Sequence, residues 1–151
     1  MQPVRRIGIL QPVYLPWLGY FEQMQKVDHF VFQDDSQYTR ADWRNRNRIN
    51  SAKGPVWLTI PVKKSPVDTA IDQIEVCYQY NWPRKHIETI KTNYAKMPSL
   101  DGVASLLGSV LSEQHKYLAD MVTKVVVSLA SELGIHTPVS RSRIIKRGKS
   151  T

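Results

Sequence analysis

Cysteine is almost missing from this sequence. Cys77 is the one thiol, so no disulfide can form within the chain. With no base beside it in sequence, it reads as a buried structural thiol rather than a nucleophile. The four histidines, at positions 29, 86, 115 and 136, are scattered, and none pairs with a cysteine at zinc-finger spacing. That pattern argues against a structural zinc site. Long apolar runs are missing too. The run after Arg5-Arg6 is broken by Gln11 and Pro12, too early for a signal peptide or a membrane span. A cytoplasmic location with no membrane span is the expectation. Acidic residues are scarce: 13 against 21 lysines and arginines, a net charge of +8 and a pI near 9.7. This balance favours anionic partners, among them nucleotide phosphates, acidic sugars and nucleic acid. A soluble basic protein without such a partner is the plain alternative.

What is present begins with Ile7 to Asp35. Ile7-Gly8-Ile9-Leu10 is a short apolar run bounded by turn residues, as a buried strand would be. Pro12 and Pro16 forbid a helix before about Pro16. From there Trp17, Phe21, Met24 and Val27 recur at helical spacing. Phe30-Val31-Phe32 forms a second strand. A strand, a proline-bounded loop, a helix and a strand predict a parallel crossover. Ligands in such folds bind at loops on the carboxyl ends of strands. Two such loops are Gln11 to Pro16, which carries Gln11 and Tyr14, and Asp34 to Tyr38. Asp34 and Asp35 can orient a substrate hydroxyl or hold a metal–phosphate complex such as magnesium. Asp before Ser is also ordinary turn chemistry, and both readings stay open here.

The segment Trp43-Arg44-Asn45-Arg46-Asn47-Arg48 is the most unusual. If it is extended, the three guanidinium groups face one side and the two amides the other. Aligned arginines repel unless an anion or water separates them, and a guanidinium fork matches phosphate or carboxylate. Trp43 can stack on a sugar or a base. A solvated basic loop is the competing reading. Gly54-Pro55 then marks a turn before a strand from Val56 to Val62, with Leu58, Ile60 and Val62 on one face and Trp57 and Thr59 on the other. Ile74 to Cys77 reads as a further strand.

Asn81-Trp82-Pro83 signals a helix start, with Ile87, Ile90, Tyr94 and Met97 on one face. Its first turn holds Arg84, Lys85 and His86. Cations there oppose the helix dipole by about 0.3–1 kcal/mol each, so the turn makes more sense with an anion docked on it, and three polar residues merely facing water is the competing reading. A helix from Asp101 to Val110 and one from Leu118 to Leu133 follow, the second ending at Gly134. Ile135 to Ser140 reads as a last strand, followed by a basic tail.

These motifs, in this order, carry a resemblance. Gln11-Pro12-x-Tyr14-Leu15-Pro16-Trp17-Leu18-Gly19-Tyr20-Phe21, Asp34-Asp35-x-Gln37-Tyr38, Trp43 to Ile49, Trp57 to Val62 and Trp82-Pro83-Arg84-Lys85-His86 resemble the WbqC-like protein family over roughly the whole chain. Members are associated with bacterial surface-polysaccharide (O-antigen, lipopolysaccharide) biosynthesis. The resemblance implies a nucleotide-activated sugar or other small anionic, phosphorylated substrate. A transferase acting on a nucleotide-linked sugar is one form that activity can take. Members usually continue past the equivalent of Thr151, so residues 1–151 read as a single α/β domain lacking their C-terminal part.

The expected fold class is α/β: a three-layer, Rossmann-like domain with a mainly parallel sheet, of which a HUP-like variant is one form. HUP nucleotidyltransferases carry His-x-Gly-His where this chain has Trp17-Leu18-Gly19-Tyr20. Tyr20 and the Trp17 indole can donate hydrogen bonds there but cannot act as a histidine base near neutral pH. Lys146-x-x-Lys149-Ser150 resembles the Lys-x-x-Lys-Ser loop of the same enzymes, and a frayed basic end competes with that reading. Two alternatives remain beside the polysaccharide role. One is a nucleic-acid-binding module using Trp43 to Arg48 and the tail, although no RRM, KH or zinc-finger signature is present. The other is a non-catalytic fragment.

Overall fold

The computed structural model describes residues 5–147, with side chains through Ile145. Strand β1 (Ile7–Leu10), helix α1 (Leu18–Gln25) and strand β2 (His29–Phe32) form the predicted crossover, and β1 pairs with β2 in parallel, Ile7 opposite His29 and Leu10 opposite Phe32. Strand β3 (Arg46–Ile49) and strand β4 (Val56–Thr59) make a separate antiparallel pair. Helices α2 (Trp82–Asn93), α3 (Leu100–Ser112) and α4 (Leu118–Glu132) follow. Strand β5 (Val139–Arg141) then returns to pair with β2 in parallel, giving the order β1-β2-β5, and leads into the short helix α5 (Ser142–Arg147).

The parallel register sorts the side chains onto two faces. Gly8, Leu10, Phe30, Phe32 and Arg141 share one face; Ile7, Ile9, Val31 and Ser140 share the other. Helix α1 lies on the first face, with Tyr20 edge-on to Phe30. Helix α4 lies there too, contributing Leu118, Met121, Val122 and Val125 to the core that contains Phe30 and Phe32. On the second face Ile7 and Ile9 are 61% and 57% exposed. Val31, on the same face, is buried. An exposed isoleucine in a strand is indistinguishable from a buried one by sequence pattern.

The β3–β4 hairpin turns at Ser51–Gly54, where the backbone groups of the two residues bond each other and the Ser51 hydroxyl donates to the Gly54 carbonyl at 2.6 Å. Gly54 takes a φ of 107°, which a side chain would resist. Leu58 and Ile60 point into the core and Trp57 and Thr59 outward, as the alternation predicts.

Several predicted elements change. Ile74 to Cys77 is not a strand; it makes single bridges, Val62 to Val76 and Glu75 to Tyr117, threaded between two loops. Helix α2 stops at Asn93, so Met97 is exposed instead of inward. Leu133 falls at the C-cap of α4 and is exposed. The last strand begins at Val139, four residues later than predicted. Cys77 is half-buried. Lys149 and Ser150 of the predicted basic motif lie outside the described residues.

Candidate functional site

The Arg/Asn segment divides inside from outside as the alternation predicts. Asn45 is buried and donates from Nδ2 to the Ile60 carbonyl at 2.9 Å. Asn47 donates from Nδ2 to the carbonyls of Tyr14 and Leu15, at 3.1 and 2.6 Å. The amides thus tie β3 to β4 and to the loop after β1. Asn45 thereby belongs to the framework, not to the face a substrate would meet.

Arg46 and Arg48 project from the other side of β3. Arg48 pairs in register with Trp57, and the Arg46 guanidinium sits 4.3 Å from the Trp57 ring centroid. Arg48 is 5.3 Å from Trp57 and 5.9 Å from Trp43. The two indoles lie 5.8 Å apart, inclined at 32°, and remain 39% and 45% exposed at Trp43 and Trp57. Each cation–π contact at such a site stabilises by about 0.5–1 kcal/mol. Among the described residues no carboxylate forms an ion pair with Arg46 or Arg48. Arg44 separates from this pair: Asp42 holds it at 2.9 Å, and the expected row of three equivalent arginines is a pair. Arg44 precedes β3, so strand alternation does not govern it.

Arg44 instead lines a small pocket of about 160 Å³ with Gln11, Val13, Trp17, Tyr20 and Trp43. Trp17 stands at the N-cap of α1, 56% exposed, so it is not a core residue. Gln11 donates from Nε2 to the Ser36 hydroxyl at 2.8 Å, and the Tyr20 hydroxyl donates to the Gln11 carbonyl at 3.0 Å. Burial pushes the Tyr20 hydroxyl pKa upward, and Arg44 opposes that push. Tyr20 is therefore a neutral donor already engaged within the loop.

Two predicted binding groups prove internal. Tyr14 is wholly buried and its hydroxyl meets Nδ1 of His86 at 2.9 Å. His86 is buried against Trp82 and bonds the Thr59 carbonyl through Nε2 at 3.1 Å. Burial lowers its pKa from 6.5 to about 4, although the bond to Thr59 works the other way. His86 is thus a neutral strut between α2 and β4, and the polar groups of both side chains are engaged within the fold. Of the predicted basic turn, Arg84 pairs with Glu88 at 2.6 Å and Lys85 is exposed. Arg84 lines a different cleft, with Asn81, Lys91 and Gln114. The turn therefore does not present three free cations to an anion.

The acids after β2 are also bound up in structure. Asp34 is wholly buried and accepts from Arg141 Nε at 2.5 Å, the Ser142 hydroxyl at 3.1 Å and the Arg143 amide at 3.3 Å. Arg141 reaches Asp120 as well, and Arg143 lies 3.3 Å from Asp120 and 3.9 Å from Asp72. Asp35 accepts from the Ser142 hydroxyl at 2.6 Å. Burial first, and the Asp34 charge second, push the Asp72 carboxyl above its usual range. The catalytic role predicted for Asp34 is not met by this geometry, because a carboxylate sealed under two arginines cannot touch a substrate. Guanidinium groups engage the Asp34 carboxylate, and among the described residues no three His, Cys, Asp or Glu are arranged around an ion. Arg141, Ser142 and Arg143 escape a sequence reading because Asp34, which joins them, lies more than a hundred residues away. Trp57, also missed, had a signal: it falls on the outward face of a predicted strand.

Comparison with known proteins bears on this arrangement. The model of the WbqC-like protein family matches residues 11–151. The chain belongs to the WbqC-like protein family. Among curated proteins, "Uncharacterized protein Rv1507c" of Mycobacterium tuberculosis (strain ATCC 25618 / H37Rv) is 34% identical over 146 residues, covering 92% of this chain and 61% of the relative. This WbqC-like protein thus spans about 61% of the length of the curated relative it matches. No solved structure matches it. Among the described residues no helix is long and apolar enough to cross a membrane.

Proposed function

We propose that this WbqC-like protein binds a nucleotide-activated sugar, or a similar phosphorylated small molecule, on the Trp43–Trp57 face. The observation that carries the reading is the pair of exposed indoles flanked by Arg46 and Arg48. An exposed indole offers a flat apolar surface to a sugar or base ring. Guanidinium groups without a carboxylate partner offer phosphate a charged, planar fork. The hydrogen bonds of Asn45 and Asn47 fix the backbone, so both arginines are presented before a ligand arrives. Gln11, Trp17 and Arg44 shape the adjoining small pocket. The association of the family with surface-polysaccharide biosynthesis supports a sugar nucleotide, and a cytoplasmic site of action is consistent with that substrate. Transfer of a sugar or a modifying group is the activity that would follow.

Calorimetric titration with UDP- and dTDP-sugars tests the reading. Wild type should bind, and Arg46→Ala and Trp57→Ala should each weaken binding by about tenfold. Equal affinity in all three proteins would refute it. Steeply salt-sensitive binding of single-stranded RNA, with no sugar-nucleotide binding, would favour the nucleic-acid module instead.

A further inference from the structure

Beside the indole face lies a cleft of about 320 Å³ whose walls include Tyr38, Arg40, Arg46, Lys63 and Lys64. Four cations converge on it. Lys63 is neutralised by Glu75 at 2.6 Å. Among the described residues Arg40, Arg46 and Lys64 form no ion pair with a carboxylate. Like charges gathered in one depression repel, and their summed field draws an anion that would relieve the repulsion.

The cations are positioned by structure rather than merely near one another. Arg40 donates from Nη2 to the Ser65 carbonyl at 2.9 Å, joining the two loops that wall the cleft. The next residue, Ala41, has a φ of 56°, a left-handed conformation that alanine adopts at a cost. The Arg46 backbone is fixed by β3, and its Nε is buried without a hydrogen-bond partner. Tyr38 is buried and lines the cleft, and burial raises its hydroxyl pKa while Arg40 and Arg46 act against that rise. A neutral phenol can donate to a phosphate oxygen.

Arg46 is common to the cleft and to the indole face. We infer that the cleft walled by Tyr38, Arg40, Arg46 and Lys64 is a diphosphate subsite, so that the ligand is a nucleoside diphosphate derivative rather than a monophosphate. The inference rests on the Trp43–Trp57 face being the binding face for the rest of that ligand. Three unpaired cations and a phenol match the several oxygens of two linked phosphates, whereas one phosphate would occupy only part of the cleft. The base or sugar then lies on the indoles, with Arg46 at the junction.

The test titrates the full chain with inorganic pyrophosphate, UMP and UDP, following heat and tryptophan fluorescence. Wild type should bind pyrophosphate, and should bind UDP about tenfold or more tighter than UMP. Arg40→Gln combined with Lys64→Gln should weaken pyrophosphate and UDP by about tenfold or more, with only a small fall in melting temperature from the lost Arg40–Ser65 bond. Lys91→Gln with Lys96→Gln removes the same charge elsewhere and should leave both affinities alone. Failure of pyrophosphate to bind, equal binding by the cleft variant and wild type, or an equal loss in the distant variant would each overturn the subsite. UDP binding that survives the cleft variant but falls with Trp57→Ala would overturn the cleft and leave the indole face standing. Pyrophosphate binding lost in the cleft variant, with UDP indifferent to Trp57→Ala, would do the reverse.

Discussion

The Tyr14 hydroxyl donates its hydrogen to Nδ1 of His86 across 2.9 Å, and the rest of the network fixes that direction. His86 Nε2 faces the Thr59 carbonyl, which can only accept, so Nε2 carries the hydrogen. In a neutral imidazole Nδ1 is then bare and must accept. One buried ring thus joins the loop after β1, the strand β4 that carries Trp57, and helix α2.

The pH dependence follows from that ring. The folded pKa of His86, about 4, lies below its ordinary 6.5. The unfolded chain therefore binds a proton at pH values where the folded one does not. The contribution is fully present above about pH 6.5, declines as the pH falls, and is exhausted near pH 4. The depression is equivalent to about 3 kcal/mol. Urea unfolding of wild type and His86→Gln across this range should show a steeper acid loss in wild type. An imidazole that titrates near 6.5 by NMR would contradict the assignment.

Replacing Asp34 by alanine should cost about 3 kcal/mol or more, because Arg141 loses a buried partner. Adding Arg141→Met should recover part of the loss. A solvent-facing catalytic acid would behave otherwise, with stability kept and activity lost. Denaturant melts of the single and double variants separate the two roles.

Asn47→Ala removes two hydrogen bonds to the Tyr14 and Leu15 carbonyls and should destabilise the fold by about 1–3 kcal/mol. Leu15 holds a φ of 46°, so the loop that leads to Trp17 should loosen as well. Ligand affinity should fall although Asn47 touches no ligand. Faster amide exchange at residues 14–17 would report the loosening, and unchanged exchange would show that the loop holds itself.

Trp17→Phe should leave the melting temperature nearly unchanged, since the ring is more than half exposed. Affinity for a sugar nucleotide should drop by about 1 kcal/mol, the scale of one lost hydrogen bond. Gly19→Ala gives an independent check. A methyl group there would stand 2.7 Å from the Trp17 indole nitrogen, so the indole must swing aside. Both variants should weaken binding together; a large loss of melting temperature with affinity intact would assign Trp17 to structure.

The parts of this fold that sequence revealed are those set by local periodicity. The β1-α1-β2 crossover follows from Ile7 to Phe32, and the inward asparagines and outward Arg46 and Arg48 follow from strand alternation. Arg44 broke the pattern because it lies just before the strand and meets Asp42. His86 looked like part of a basic turn because three neighbours in sequence share a helix turn but not a direction. Asp34 looked like a site acid because nothing near it in sequence announces Arg141. The exposure of Ile7 and Ile9 could not be read from their apolar character, which is the same whether or not something covers them.

The pairing of β2 with β5 sets a condition on how this chain reaches its fold. Asp34 and Arg141, which clamp the ends of these strands, stand 107 residues apart. Closing a loop of that length costs about 4 kcal/mol in chain entropy before any contact offsets it. The β1-α1-β2 unit is local and can form early, but it then holds an apolar two-stranded sheet with β2 unpaired on one side. Until β5 arrives, that edge is free to pair with another chain. Folding yield should therefore fall with protein concentration more steeply than stability alone implies, and refolding at high dilution should favour the native chain.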